Sequence, residues 1–167
     1  MLALIDEGVS NTISNPVLIK TLPMVTIAKS TVTLKSYDDL FYEMPRIGRE
    51  VEKLGIECSV PDYCYIEYLE QGYHEENIKV NICQAIQKTK AKSDIISYED
   101  KNEQLAACIY HKGSYAKFPE SYQAILKYIE DNNYKICGNI REVYIDGVWN
   151  KDSEDEWLSE IEIPVKK

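Results

Sequence analysis

Trp157-Leu-Ser-Glu-Ile-Glu-Ile-Pro-Val165, followed by two lysines, is the stretch that decides the fold, because two carboxylates interrupt what otherwise reads as a buried strand. Side chains of a strand alternate between its faces, so Leu158, Glu160, Glu162 and Pro164 share one face and Trp157, Ser159, Ile161, Ile163 and Val165 the other. The isoleucine face is the core face. Glu160 and Glu162 then either stand in water or line an acidic, partly enclosed surface for a ligand.

Working back from this strand, Ile136 to Ile145 forms its partner across an acidic loop, Asp146 to Glu156. Before that pair, Phe118-Pro119 opens a helix that carries Tyr122, Ile125, Tyr128 and Ile129 on one side and stops at Asn132-Asn133. Ile95 to Tyr98 and Gln104 to Tyr110 read as strands. The first half repeats the order. Val17 to Leu22 and Met24 to Leu34 are rich in β-branched residues, and Ser36 to Leu54 has helical spacing through Leu40, Met44, Ile47, Val51 and Leu54. Gly55 is the stop signal, and Pro45 is expected to break or kink this helix near Met44. Tyr63 to Leu69 and Ile78 to Ile86 complete the half as strands.

Both halves therefore run strand, helix, strand, strand. The predicted fold class is α+β: duplicated βαββ modules, two antiparallel sheets each with a helix, around a central ligand groove. One such module buries little by itself, whereas two side by side share a core and create a seam, where ligands commonly bind. The expected organisation is a lead-in or remnant of a linker helix at residues 1–15 and one domain at 16–167. Its repeats span about 16–90 and 94–167.

Composition narrows the function. At 167 residues and 44% hydrophobic content the chain fits one ordinary domain. With 19 basic against 28 acidic residues, a net charge of −9 and no basic patch, direct nucleic-acid contact by this chain is not expected. The negative field favours cationic small molecules or basic partners. Cys58, Cys64, Cys83, Cys108 and Cys137 show no CxxC pair and only His74 and His111 are present, so neither a zinc site nor a disulfide framework is expected, and reduced thiols place the chain in the cytoplasm. His111 has no nucleophile at a recognisable spacing and reads as a surface residue. No stretch approaches the roughly 20 apolar residues of a membrane span. The 13 tyrosines supply flat apolar area with polar tips, suited to a binding groove or a core margin.

Four segments in order resemble a known family. They are Cys108-Ile-Tyr-His-Lys-Gly-Ser-Tyr115, the helix Phe118 to Ile129, Ile140-Arg-Glu-Val-Tyr-Ile-Asp146 and the closing Trp157 to Val165. Together they are similar to the GyrI-like effector-binding domains of AraC-class and MerR-class transcription regulators, in which Trp-x-Thr/Ser-Glu-Ile/Leu is followed by Pro-Val. Val17 to Pro23 and the elements after it resemble the family's first repeat. The resemblance implies two βαββ modules around a groove and no cofactor. It also implies that Glu160 faces the groove and pairs with cationic, aromatic-flanked ligands, with Tyr144 stacking or donating its hydroxyl. Trp157 matches the motif tryptophan, but its alternation opposes Glu160, which leaves core and contact roles open. Tyr65 and Tyr68 are candidates for the opposite wall, of which alternation lets one face inward. Glu162 is expected at a solvent-facing rim.

The leading functional expectation is a module that binds a cationic, lipophilic or aromatic effector for a multidrug-responsive regulator, with dimerisation through domains absent here. Two alternatives are a free-standing protein hydrolysing reactive small molecules, with Glu160 as general base, and a gyrase-inhibitory binding protein.

Overall fold

The computed structural model describes residues 15–167, so the expected lead-in lies outside the described residues except for Asn15. The first module comprises β1 (Leu18–Leu22), β2 (Val25–Leu34), α1 (Leu40–Lys53), β3 (Cys64–Tyr68) and β4 (Ile78–Ile86). The second comprises β5 (Ser97–Lys101), β6 (Gln104–Lys112), α2 (Phe118–Asp131), β7 (Lys135–Ile136), β8 (Arg141–Asp146) and β9 (Leu158–Lys166). All pairings are antiparallel, in the order β1-β6-β9-β8-β3-β4-β2-β5, with β7 added alongside β9.

That order reads the same from either end when β1 is exchanged for β5, β2 for β6, β3 for β8 and β4 for β9. The duplication is thus a two-fold relation between modules, centred between β3 and β8. Pairing of Tyr65 with Val143, Ile66 with Glu142 and Glu67 with Arg141 merges the two module sheets into one. Merging removes two open edges whose backbone groups would otherwise be unpaired. Each module also lends its first strand to the other, since β1 pairs with β6 and β5 with β2.

The exchange curls the sheet. Pro23-Met24 joins β1 to β2 and Asn102-Glu103 joins β5 to β6, yet each link connects strands near opposite ends of the path. Side chains on the inner face consequently reach far across it. Lys101 on β5 meets Glu67 on β3, three strands away, at 2.9 Å. Ile27, Tyr65, Cys83 and Val143 are buried on this face although no helix covers it.

Both helices cover the outer face. Against α1, with Ile47 and Val51, lie Ala28, Leu34, Ile66, Val80 and Ile82. Against α2, with Ile125 and Ile129, lie Ala107, Ile109, Ile161, Ile163 and Val165, so the isoleucine face of the last strand is the core face, as its alternation implies. Pro45 does not end α1, which continues through it to Lys53. Its missing N–H would have bonded Phe41, near the helix start, where Phe41 and Tyr42 are exposed and water can satisfy the freed carbonyl. Gly55, at φ +72°, ends the helix as its position implies, while Ile56 N–H donates back to the Val51 carbonyl. The expected strand from Ile136 to Ile145 divides into β7 and β8, because Ile136 pairs with Val165 and Arg141 with Glu162, so the step between them is longer than the matching step on β9 and the ladder is interrupted there.

Truncating a fully buried member of this layer tests the packing. Ile161→Ala should lower unfolding free energy by about 2–5 kcal/mol in chemical denaturation, whereas Ile136→Ala, at an exposed position, should change it by about 0.5 kcal/mol or less.

Candidate functional site

The pleat of β8 and β9 sorts ionisable groups onto two faces. Arg141 and Val143 pair with Glu162 and Glu160, so these four side chains share the inner face. Glu142 and Tyr144 lie beside Ile161 and Ser159 and therefore belong to the helix-covered face.

On the inner face, Lys20 of β1 forms an ion pair with Glu160. Glu162 is 2% exposed, not at a solvent-facing rim, because the curled sheet brings Tyr63 over it, with the Tyr63 hydroxyl donating to its carboxylate at 2.5 Å. Arg141 Nη1 donates to the same hydroxyl at 3.0 Å, and the guanidinium rests on the Tyr65 ring at 5.1 Å. Burial, reinforced by the neighbouring Glu160 charge, pushes the Glu162 carboxyl up to about 8, against the opposing effects of Tyr63 and Arg141. The Glu162 carboxyl therefore keeps its proton at neutral pH. Cys108 Sγ and oxygens of Glu160 and Glu162 all lie within 4.8 Å of one another, a donor set suited to a metal ion. A cation there would have to displace the Lys20 ammonium, which already serves Glu160.

On the outer face, Glu142 is 4% exposed and sits where the two cores meet. Tyr68 of β3 donates to its Oε1 at 2.9 Å and Tyr144 to the same oxygen at 2.7 Å. Tyr122 of α2 donates to Oε2. Tyr37, ahead of α1, lies beside Tyr68. Among the described residues no lysine, arginine or histidine forms an ion pair with Glu142. Burial raises its proton affinity and the three phenols oppose that rise. A second ring of aromatics surrounds the first: Tyr115 stands 5.7 Å from Tyr144 and 4.8 Å from Trp157, centroid to centroid. Gly113, at φ +106°, follows β6 and donates its N–H to the Trp157 carbonyl at 2.8 Å, which ties the backbone at Trp157 to the end of that strand.

The sequence-based candidates thus divide between faces. Tyr144, Tyr68 and Trp157 gather around Glu142, while Glu160 and Tyr65 lie on the inner face, so Tyr144 does not partner Glu160. Tyr144 aligns with Ser159, not with Glu160, so a ligand at Glu160 is out of its reach on the other face of the sheet. Glu142 was the missed residue, and its signal was alternation within Arg141-Glu142-Val143-Tyr144, which puts Glu142 and Tyr144 on one face. His111 is buried rather than superficial. It accepts from Ser121 Oγ at Nδ1 (2.7 Å) and donates from Nε2 to the Ser114 carbonyl (2.8 Å), a tautomer set by the acceptor-only carbonyl.

Comparison with known proteins gives the site a context. Residues 20–166 match the model of the GyrI-like small molecule binding domain. The chain belongs to the GyrI-like family. This GyrI-like domain is 30% identical to the EcmrR C-terminal domain, with a TM-score of 0.87 over 92% of this chain and 98% of that one. Against EcmrR in a complex with DNA, the TM-score is 0.89 at 28% identity, and the match covers 98% of this chain but only 62% of that one. SAV2435 bound to tetraphenylphosphonium shares the fold at 13% identity and a TM-score of 0.62, over 90% of this chain and 94% of that one. A hydrolase from Listeria innocua does so at 7% and 0.66, over 97% of each chain. No curated protein sequence matches this one. Among the described residues, no helix is long and apolar enough to cross a membrane.

The raised carboxyls make stability depend on pH with a definite sign. Between the ordinary carboxylate value of 4.5 and about 8, native Glu162 keeps a proton that the unfolded chain has lost. Unfolding then releases a proton, so stability falls as pH rises through this window, by up to ~1.4 kcal/mol per pH unit for each such proton, and levels off above it. Glu142 contributes in the same direction. Denaturation of Glu162→Gln between pH 5 and 8 should give a flatter profile than wild type, with the variant more stable at pH 8; parallel profiles would exclude the carboxyl as the source.

Proposed function

We propose that this domain binds a lipophilic or aromatic cation at Glu142, and that it serves as the effector module of a MerR-class transcription regulator. The observation that carries this reading is a buried carboxylate with three phenol donors and no cationic partner among the described residues. Such a group retains an unneutralised charge in a poorly solvated place, where attraction to a cation is stronger than in water. The rings of Tyr68, Tyr122, Tyr144, Tyr115 and Trp157 add cation–π attraction of roughly 0.5–2 kcal/mol per well-placed contact and favour apolar substituents on the ligand. Glu160 is less suited to this task, since Lys20 already neutralises it.

The seam position supplies a route to regulation. Tyr68 belongs to the first module, while Glu142, Tyr122 and Tyr144 belong to the second. A cation entering between these rings changes how the halves meet, and differential affinity for two such arrangements is what an effector switch requires. Likeness to the EcmrR C-terminal domain, at 30% identity across nearly all of that domain, supports the regulator assignment, and the DNA-binding function then resides outside these residues.

Tetraphenylphosphonium is a suitable probe, being a bulky aromatic cation. Thermal shift and calorimetry should show saturable binding to wild type, a loss of about 30-fold or more in affinity for Glu142→Gln, and little change for Glu160→Gln. Equal weakening by both substitutions, or undiminished binding by Glu142→Gln, would remove Glu142 as the anchor.

A further inference from the structure

Two thiols that take no part in the effector site share a slot of about 120 Å³ beside α1. Register explains how they come together. Cys64 pairs with Gln84 of β4, and Cys58 forms a bridge with Ile86, two residues along the same strand. Between them Ser59 N–H donates to the Ala85 carbonyl and Ala85 N–H to the Tyr63 carbonyl, so residues 60–62 loop out and the strand line resumes. Cys58 and Cys64 thereby take the places of residues i and i+2 of one continuous strand, with Cα atoms about 6.6 Å apart. Both side chains emerge on the face that Ile82 and Ile86 turn to α1. Cys58 is exposed and Cys64 half-buried, so solvent reaches both.

That spacing governs what the thiols can do. A disulfide requires Cβ atoms about 3.5–4.5 Å apart, closer than two like-facing positions on one strand, and both thiols are free. A single thiophilic atom bonded to both sulfurs bridges the wider gap, each bond adding about 2.3 Å. The surroundings select the atom. Burial, and then the Asp62 carboxylate, push both thiols up, Cys64 to about 12, and among the described residues no cation opposes them. A metal ion is held by thiolates, which this setting disfavours, whereas trivalent arsenic condenses with neutral thiols into an uncharged product. Met44, Ile47, Val51 and Ile82 give the slot apolar walls suited to an organic substituent. Gly48 leaves its mouth open, with nothing within 4 Å of where a Cβ would stand. A slot smaller than the about 300–1,000 Å³ of drug-sized sites restricts that substituent to a small one.

We propose that this slot is a second binding site, for a monoorganic trivalent arsenical, R–As(OH)2. Cys58 Sγ and Cys64 Sγ each bond to arsenic, and each As–OH group leaves as water with one thiol proton, so arsenic and sulfur keep their oxidation states. The substituent R lies along the apolar walls beside α1. This site shares no residue with that of Glu142, so either assignment can fail alone.

Phenylarsine oxide, which hydrates to such a species in water, is the probe. Intact-mass spectrometry of the folded domain should show one phenylarsenic adduct per chain, removed by dimercaptopropanol, and peptide mapping should place it across Cys58 and Cys64. Closing the second sulfur–arsenic bond is an intramolecular step, so Cys58→Ser or Cys64→Ser should weaken retention against the competing dithiol by about 100-fold or more. Cys137→Ser, which removes the other exposed thiol, and Glu142→Gln should leave retention unchanged. No adduct on wild type, undiminished retention in Cys58→Ser, or loss of the adduct in Cys137→Ser would overturn the proposal. Because Cys58 lies at the surface, the result does not hinge on the folding of Cys64→Ser.

Discussion

Two short links, Pro23-Met24 and Asn102-Glu103, impose the constraint on which the rest of this molecule depends. Each ties strands from opposite ends of one antiparallel path, so the sheet cannot lie flat. Curling follows from chain connectivity, and the twist common to β-sheets assists it. It gives the domain an interior without helices, where Lys101 can meet Glu67 across three strands and Tyr63 can cover Glu162. Both helices are left for the other face, where the isoleucines of β9 and the aliphatic residues of β2 to β4 need cover.

This division gives the two faces different electrostatics. Inside the curl, charges are largely matched in pairs: Lys20 with Glu160, Lys29 with Glu99, Lys101 with Glu67. Under the helices, among the described residues, Glu142 is held only by phenols. A carboxylate in an apolar layer is costly, and three hydroxyl donors offset part of that cost. The GyrI-like domain thus carries a buried carboxyl wrapped in rings where its two modules touch, which is the chemistry the binding proposal uses.

Much of this was legible in the sequence, and the reasons are local. The isoleucine alternation of Trp157 to Val165 fixed which face of the last strand is core, and the spacing of Ile125 and Ile129 identified the helix covering it. Element order revealed the duplication. The exchange of β1 and β5 between modules was not legible, because strand pairing across the two-fold is set by non-local contacts that no window of residues contains. The same limit governed the site. Glu160 and Tyr144 both stood in the segments that carry the family resemblance, but whether they meet depends on register between β8 and β9. Glu142 was hidden by its company: between Arg141 and Val143 it reads as one charged residue in a mixed strand, and only the tertiary approach of Tyr68 and Tyr122 gives it meaning. Pro45 misled for a simpler reason, since proline is tolerated where the carbonyl it frees can reach water.

Arg141 and Glu142 are adjacent in the chain and point to opposite faces of one sheet. Inheritance therefore has little freedom with β8. Gain or loss of a single residue before this pair would carry the guanidinium into the tyrosine shell and the carboxylate onto the inner face, inverting both sides of the strand at once. The irregular pairing between β8 and β9 falls after Tyr144, toward the acidic loop, so variation in length can accumulate there without reaching the charged pair.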